Sequence, residues 1–274
     1  MSASASPASL DAYLGNLIKD HSSVTTARLK ELTGTRLKRR LEARLDRLTE
    51  RAGALPETIH WQLVGLNWLD ENQHIIREAI VQVGGSLPAG FLRKLPAFRT
   101  ASGTVELRVK SLAEAVVQYR ALPLDIASIE QFLRAYQAEV PLTLGELWAF
   151  PTMLRVVVIG AFCDALDEGL ELATRGARQT RETEIAGTLS GAILSLRTIA
   201  ATGWRQFVER QSVVEGILKG DASGDYQRMD PDSRNRYRER VERLARSLKV
   251  SEPTLAETAV RLGTAATEGL SLIH

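Results

Sequence analysis

Apolar side chains recur along this chain with the three-to-four-residue step of helices rather than the two-residue step of strands. The cleanest example lies between Val24 and Arg51, where Leu29, Leu32, Leu37, Leu41, Leu45 and Leu48 make a narrow leucine stripe. That stripe predicts an amphipathic helix packed on a partner helix. Pro56 closes this segment, and the helical period resumes through Ile59, Leu63, Leu66, Leu69, Ile76, Ile80 and Val83 until Gly84 and Gly85. The stretch SLPAGFLRKLPAF reads as an irregular, packed connector anchored by Phe91, Leu92, Leu95 and Phe98. Two further helices are expected over Val105–Ala121 and Asp125–Ala138, divided at Pro123, with Asp125 as the N-cap of the second.

The centre of the chain, AYQAEVPLTLGELWAFPTMLR, carries its own start signal. Thr143 and Glu146 have the spacing of a capping box, so a helix begins there and is expected to bury Leu144, Leu147, Trp148, Met153 and Leu154. Pro151 falls two turns inside and is expected to kink it, because proline lacks the amide donor and crowds the carbonyl four residues back. A polar link, TRGARQTRETE, precedes a helix with Leu189, Ile193, Leu196 and Ile199 on one side, bent or broken at Gly203. DASGDYQRMD reads as a turn, Asp230–Pro231 as a helix start, and Ser251 as the cap of a last helix with Leu255, Ala259, Val260 and Leu262 on its buried side. No alternating strand pattern of useful length and no fixed repeat is found. The expected fold is all-α, an irregular multi-helix bundle with a Pro-kinked central helix. Residues 1–22 are Ser- and Ala-rich and read as a flexible tail with a short helical turn around Leu14 to Ile18 and no core, residues 23–55 as a basic amphipathic helix, and residues 56–270 as the helical domain.

Composition narrows the function classes. The 274 residues are 44% hydrophobic and 25% charged, ample for a buried core. Thirty-five Lys and Arg against 33 Asp and Glu leave a formal charge of +2, so no global field draws nucleic acid or an anionic surface. Any such attraction must be local. The clearest local source is the 23–55 helix, with Arg36, Arg39, Arg40 and Arg44 on its polar side. Cys163 alone supports neither an internal disulfide nor a cysteine metal cluster, and suits a reducing cytoplasm. The N-terminus lacks the basic start and apolar core of a signal peptide, and the most apolar run, MLRVVVIGAFCDAL, is interrupted by Arg155 and Asp164.

Candidate chemistry is sparse. His21, His60, His74 and His274 make no zinc-type pair, and no nucleophile elbow, P-loop or dinucleotide fingerprint occurs. The Asp230–Pro231–Asp232 run has the two-carboxylate spacing that holds a divalent metal, but a capped helix start explains the same three residues. The last two helices fit a helix-turn-helix in length, yet the second opens with Glu252, Thr254 and Glu257, which are the wrong residues to read base edges. A plain αα-hairpin is expected, and nucleic acid is not an expected partner. No catalytic residue, cofactor or metal ligand is nominated.

Several ordered segments are similar to the N-terminal region of the cyclic β-1,2-glucan synthases. They are NWLDENQHIIREAI, LPAGFLRKLPAF, FLRAYQAEVPLTLGELWAFPTMLR, SLRTIAATGWRQFVERQSVVEGIL and YQRMDPDSRNRYRERVERLAR, spread from Thr58 to Leu262. The chain departs from the family pattern after MLR, where Gly160, Ala161 and Phe162 stand in place of polar residues, and at Phe91 and Leu92 in place of tyrosines. The resemblance implies a helical region whose glycosyltransferase, glucanotransferase-like and phosphorylase-like modules lie further along a much longer chain. It implies a non-catalytic scaffold at the cytoplasmic, inner face of the bacterial inner membrane, with those downstream modules or another protein as partner. Two alternatives are an enzyme acting on UDP-glucose and a helical nucleic-acid-binding module. Partner contacts are expected at Arg36, Arg39, Arg40 and Arg44, facing anionic headgroups or an acidic surface, and at the basic, aromatic face Arg234, Arg236, Tyr237 and Arg238. Thr143, Glu146, Trp148, Pro151 and Arg155 are expected to organise the central helix.

Overall fold

The computed structural model describes residues 7–22, 33–56, 64–88, 90–175 and 181–271, and these form an irregular, mostly helical bundle. Leu29, Leu32, Ile59, Leu63, His60 and His274 lie outside the described residues. Twelve α-helices are described: α1 Pro7–Ser22, α2 Gly34–Gly53, α3 Val64–Gly85, α4 Arg108–Arg120, α5 Ile126–Gln137, α6 Leu144–Arg175, α7 Glu182–Ala201, α8 Trp204–Gln211, α9 Val213–Leu218, α10 Asp225–Arg228, α11 Pro231–Leu248 and α12 Glu252–Ser271. A 3-10 turn, Leu92–Lys94, and two short strands, β1 Ala97–Arg99 and β2 Val105–Leu107, fill the connector between α3 and α4. The chain divides into two compact units. The first contains Met1–Phe132 and Ala149–Thr202, the second Leu133–Trp148 and Gly203–His274.

In the first unit the leucine stripe does what its spacing dictates. Thr33 caps α2, its hydroxyl accepting from the Arg36 amide at 3.2 Å, and Leu37, Leu41, Leu45 and Leu48 are buried. They face α3, whose Ile76, Ile80 and Val83 are fully enclosed, and α3 packs in turn on α7. Arg44 and Arg51 reach across to Asp164 and Asp167 of α6, and Arg77 bonds Asp46 at 2.9 Å. Asp125 caps α5 through the Ser128 amide at 2.8 Å.

Helix α6 runs unbroken through Pro151 for 32 residues. By length and composition it is long enough to cross a membrane, but 67% of its most apolar stretch is buried inside the protein, where Phe150, Met153, Leu154, Ile159 and Phe162 are core. The segment leading into α5 sits against α7 without intervening space. The Leu124 amide donates to Ser195 Oγ at 2.9 Å, and a Cβ built on Gly191 would lie 2.8 Å from the Leu122 side chain and 3.1 Å from the Pro123 nitrogen. Gly191→Ala is therefore expected to lower stability by about 1–3 kcal/mol through overpacking, read as a drop in urea midpoint.

Ala259 and Leu262, expected on the buried side of α12, are exposed, and three secondary-structure elements differ from the sequence expectation. Residues 7–22, read as part of a tail, form α1 with Leu10, Leu14 and His21 buried. The i, i+4, i+11 spacing of these residues was masked by Ser- and Ala-rich surroundings. Tyr13 lies 5.1 Å from the Tyr119 ring and 6.3 Å from the Phe132 ring, and its hydroxyl donates to Gln118 Oε1 at 3.0 Å. Second, residues 97–107 form a β-hairpin, pairing Ala97 with Leu107 and Arg99 with Val105, so α4 begins at Arg108 rather than Val105. Three residues are too few to display alternation, and the turn signal is Gly103, whose φ of +82° suits glycine. Third, the DASGDYQRMD segment contains the short helix α10, and Ser212 separates α8 from α9, capping the latter through the Glu215 amide at 3.2 Å.

His21 is the buried ionisable group of α1. Its ring is fully enclosed, edge-on to Phe98 at 4.7 Å, with Nε2 3.1 Å from Ser111 Oγ. Burial, helped by the nearby Arg108 charge, lowers its pKa from the ordinary 6.5 to about 4.

Candidate functional site

The most elaborate polar arrangement among the described residues lies in the second unit and is built on Glu215. Serine capping starts α9 at Ser212, which places Val214 and Leu218 in an apolar cluster with Tyr226, Val241 and Ala256. The same helix buries the Glu215 side chain to 1% exposure. Such a carboxylate needs several donors, and it has them. Tyr226 donates its hydroxyl to Oε2 at 2.6 Å and Arg238 Nη1 donates to the same oxygen at 2.7 Å. Arg234 Nη1 reaches Oε1 at 3.2 Å, and Lys219 Nζ stands 3.3 Å from it. Glu209 of α8 adds a second carboxylate, 3.6 Å from Arg238 Nη2 and 4.0 Å from Arg234 Nη2.

Burial alone would raise the Glu215 pKa, but the Tyr226 hydroxyl, the Arg238 charge and Lys219 outweigh it and hold the group below its ordinary value. Burial and the adjacent carboxylate push the Tyr226 phenol up. The Glu215 carboxylate is therefore ionised and saturated at neutral pH. It ties α9, α10 and α11 together through one pair of oxygens. Glu209 Oε1, the Nε atoms of Arg234 and Arg238, and both side-chain polar atoms of Gln211 are buried without a hydrogen bond among the described residues.

A second polar centre joins the start of α6 to the start of α12. Thr143 and Glu146 form the expected capping box: the Glu146 amide donates to Thr143 Oγ1 at 3.2 Å, and the Thr143 amide and hydroxyl donate to Glu146 Oε2 at 2.9 Å each. The next free amide, that of Leu144, donates at 2.8 Å to Oε2 of Glu252, which comes from the first residue of α12. Glu252 is 7% exposed. Its burial, reinforced by Glu242 and Glu146 against the opposing pull of the Leu144 amide and Arg246, raises its pKa to about 7.

The remaining candidates fall as follows. Arg36, Arg39 and Arg40 lie on the exposed side of α2, while Arg44 is engaged by Asp164. The four residues expected to form one basic, aromatic face are divided: Arg236 and Tyr237 are exposed, whereas Arg234 and Arg238 turn inward to Glu215. The division follows from period, since 234, 238, 241 and 245 share one helical face and Val241 and Ala245 put that face in the core. Trp148, expected in the core, is instead 38% exposed, because it occupies the one solvent-facing position between Leu144 and Leu154. Pro151 is buried and its carbonyl accepts from Arg155 Nη1 at 3.4 Å. Burial lowers the Arg155 pKa.

The two aspartates of the Asp230–Pro231–Asp232 run do not converge. Asp230 caps α11 through the Asp232 and Ser233 amides at 3.0 Å, and Asp232 pairs with Arg205 at 2.7 Å. No group of three metal-ligating side chains occurs among the described residues. An open groove of about 300 Å³ in the first unit is lined by Asp164, Glu168, Arg181, Glu184 and Thr188, with Arg181 bridged to Glu168 at 2.7 Å.

Glu215 carried no special signal in the sequence, where acidic residues on helices are common. What could have singled it out is the arginine pair at 234 and 238, two cations placed at core period on an otherwise buried face.

No family model matches the sequence. Among curated proteins, the chain is similar to the cyclic beta-(1,2)-glucan synthase NdvB of Rhizobium meliloti (strain 1021), with 27% identity over 270 residues, covering 71% of this chain and 9% of that protein. This is a distant homology of partial coverage, and the chain spans about a tenth of the length of the curated relative it matches.

Proposed function

We propose that the chain is a non-catalytic helical scaffold of a cyclic β-1,2-glucan-synthesising system, corresponding to the N-terminal region of the synthase and working at the cytoplasmic side of the membrane. Its task is to hold catalytic modules, carried on the same or another polypeptide, against one another. The observation that carries this reading is how the buried charges are used. Glu215, Arg234 and Arg238 are spent on joining helices, with Glu215 and Arg238 each 1% exposed, so the costliest polar groups of the second unit serve its internal order. The similarity to a glucan synthase supplies the system in which such a module would act.

The test is a segment exchange. In the Rhizobium meliloti synthase the matching segment is deleted or replaced by this chain, and cyclic glucan made from UDP-glucose by isolated membranes is measured. Deletion is expected to abolish synthesis and replacement to restore a clear fraction of it. Purified chain given UDP-glucose and a divalent cation is expected to transfer no glucose. Turnover by the isolated chain, or full synthesis by the deleted enzyme, overturns the reading.

A further inference from the structure

Helix α11 is buried along one face only, and the strip beside that face is apolar and open to solvent. Tyr237 is 51% exposed, Leu244 40% and Leu248 60%. Their steps of seven and four residues place them on one line, about 16 Å long at the rise of an α-helix. At about 100° per residue, Arg236, Arg240 and Arg243 form the next row around the helix, and all three are exposed. None of these three arginines makes an ion pair among the described residues: Glu239, within a turn of Arg236 and Arg243, is bonded instead to Asn235, and Glu242, farther round the helix, to Arg246.

The line ends on the turn into α12. There Lys249 adopts a left-handed conformation, φ 57°, a position that favours glycine. The turn instead presents a cation between two exposed aliphatic side chains, Leu248 and Val250, the latter 43% exposed. An aliphatic edge, a parallel row of unpaired cations and a protruding Leu-Lys-Val tip fit a plane that is apolar at depth and anionic at its surface. They fit a concave acidic protein groove less well, because such a groove would match the cations but leave the exposed Leu248 and Val250 against polar side chains.

We propose that this edge of α11, with the α11–α12 turn, is a docking surface for an anionic lipid bilayer. The aliphatic side chains enter the headgroup boundary and Arg236, Arg240, Arg243 and Lys249 lie against lipid phosphates. This deepens the scaffold reading by naming the surface that holds the module at the membrane, and it rests on that reading for its biological setting alone.

The test is flotation of the full chain with vesicles of phosphatidylcholine, alone or mixed with phosphatidylglycerol. Binding is expected only with the mixed vesicles and should weaken with added salt. Reversing the row (R236E, R240E, R243E together) is expected to reduce binding at least about ten-fold. The matched lysine triple is expected to keep it, and Leu248→Ser with Val250→Ser is expected to lose it while circular dichroism is unchanged. If the reversed triple does not fold, the serine pair decides. Equal flotation with neutral vesicles, undiminished binding by the serine pair, or binding to poly-glutamate in place of vesicles overturns the proposal. Loss of vesicle binding with successful segment exchange removes the membrane surface and leaves the scaffold standing. The converse result removes the scaffold.

Discussion

Truncating Glu215 to alanine is expected to destabilise the second unit by about 3–5 kcal/mol, the largest effect of any single substitution in its polar interior. The cost comes from what is left behind. Arg238 is 1% exposed and Arg234 only 16%, so removing the carboxylate strands two guanidinium groups with Glu209, at 3.6 and 4.0 Å, as their remaining acid in the network. Tyr226 also loses its 2.6 Å acceptor. A double replacement, Glu215→Leu with Arg238→Met, removes the charge and its partner together and is expected to recover much of the loss, because well-packed apolar groups can substitute for a buried pair. Tyr226→Phe alone should cost about 1.5–3 kcal/mol, the range for a hydrogen bond to a charged group. Hydrogen exchange over α9 to α11, with urea melts of each variant, provides the measurement. A Glu215→Ala loss below 1 kcal/mol would mean that the network is ornamental to stability.

Between about pH 4 and pH 7 the two units are expected to respond in opposite directions. His21 in the first unit has its pKa lowered to about 4, so the unfolded chain takes up a proton that the folded one refuses. Its contribution is present above the ordinary value of 6.5 and is lost as pH falls toward 4. Glu252 in the second unit has its pKa raised to about 7, so the folded chain keeps a proton that the unfolded one releases. Its contribution is present below the ordinary 4.5 and is lost as pH rises through 7. Each effect is on the order of 3 kcal/mol. Acid should speed exchange of amides in α1, and alkali should speed exchange at the starts of α6 and α12, after correction for intrinsic rates. His21→Phe should flatten the first response and Glu252→Gln the second, each without touching the other. A parallel response in both units, or a flat one in the unsubstituted protein, refutes this assignment.

Local signals were readable in the sequence, and long-range ones were not. The leucine stripe of α2, the Thr143–Glu146 box and the Asp230–Pro231 start each need only neighbours within a turn or two, and each appears in the structure as its spacing requires. Helix α1 was hidden because its apolar residues are few and their burial depends on partners such as Phe132, more than a hundred residues away. The hairpin was hidden because a strand of three residues has no period. The polar centres failed for the same reason on a larger scale. Nothing around Glu252 announces that its carboxylate will cap a helix starting 108 positions earlier, and nothing around Glu215 announces Arg238. Trp148 misled because hydrophobicity gives the general preference of a side chain, while its place on the helix decides its surroundings.

The path of the backbone carries a last implication. It passes between the two units after Phe132, after Trp148 and after Thr202, and the first two passages fall inside α5 and α6. No single cut releases either unit whole. A fragment starting at Gly203 would leave behind Leu133–Trp148, and with it the amide that Glu252 grips. Exon-like shuffling, protease trimming and domain-by-domain expression all presuppose a seam that can be opened once. This weave has none, so whatever larger polypeptide carries such a segment must inherit it in one piece.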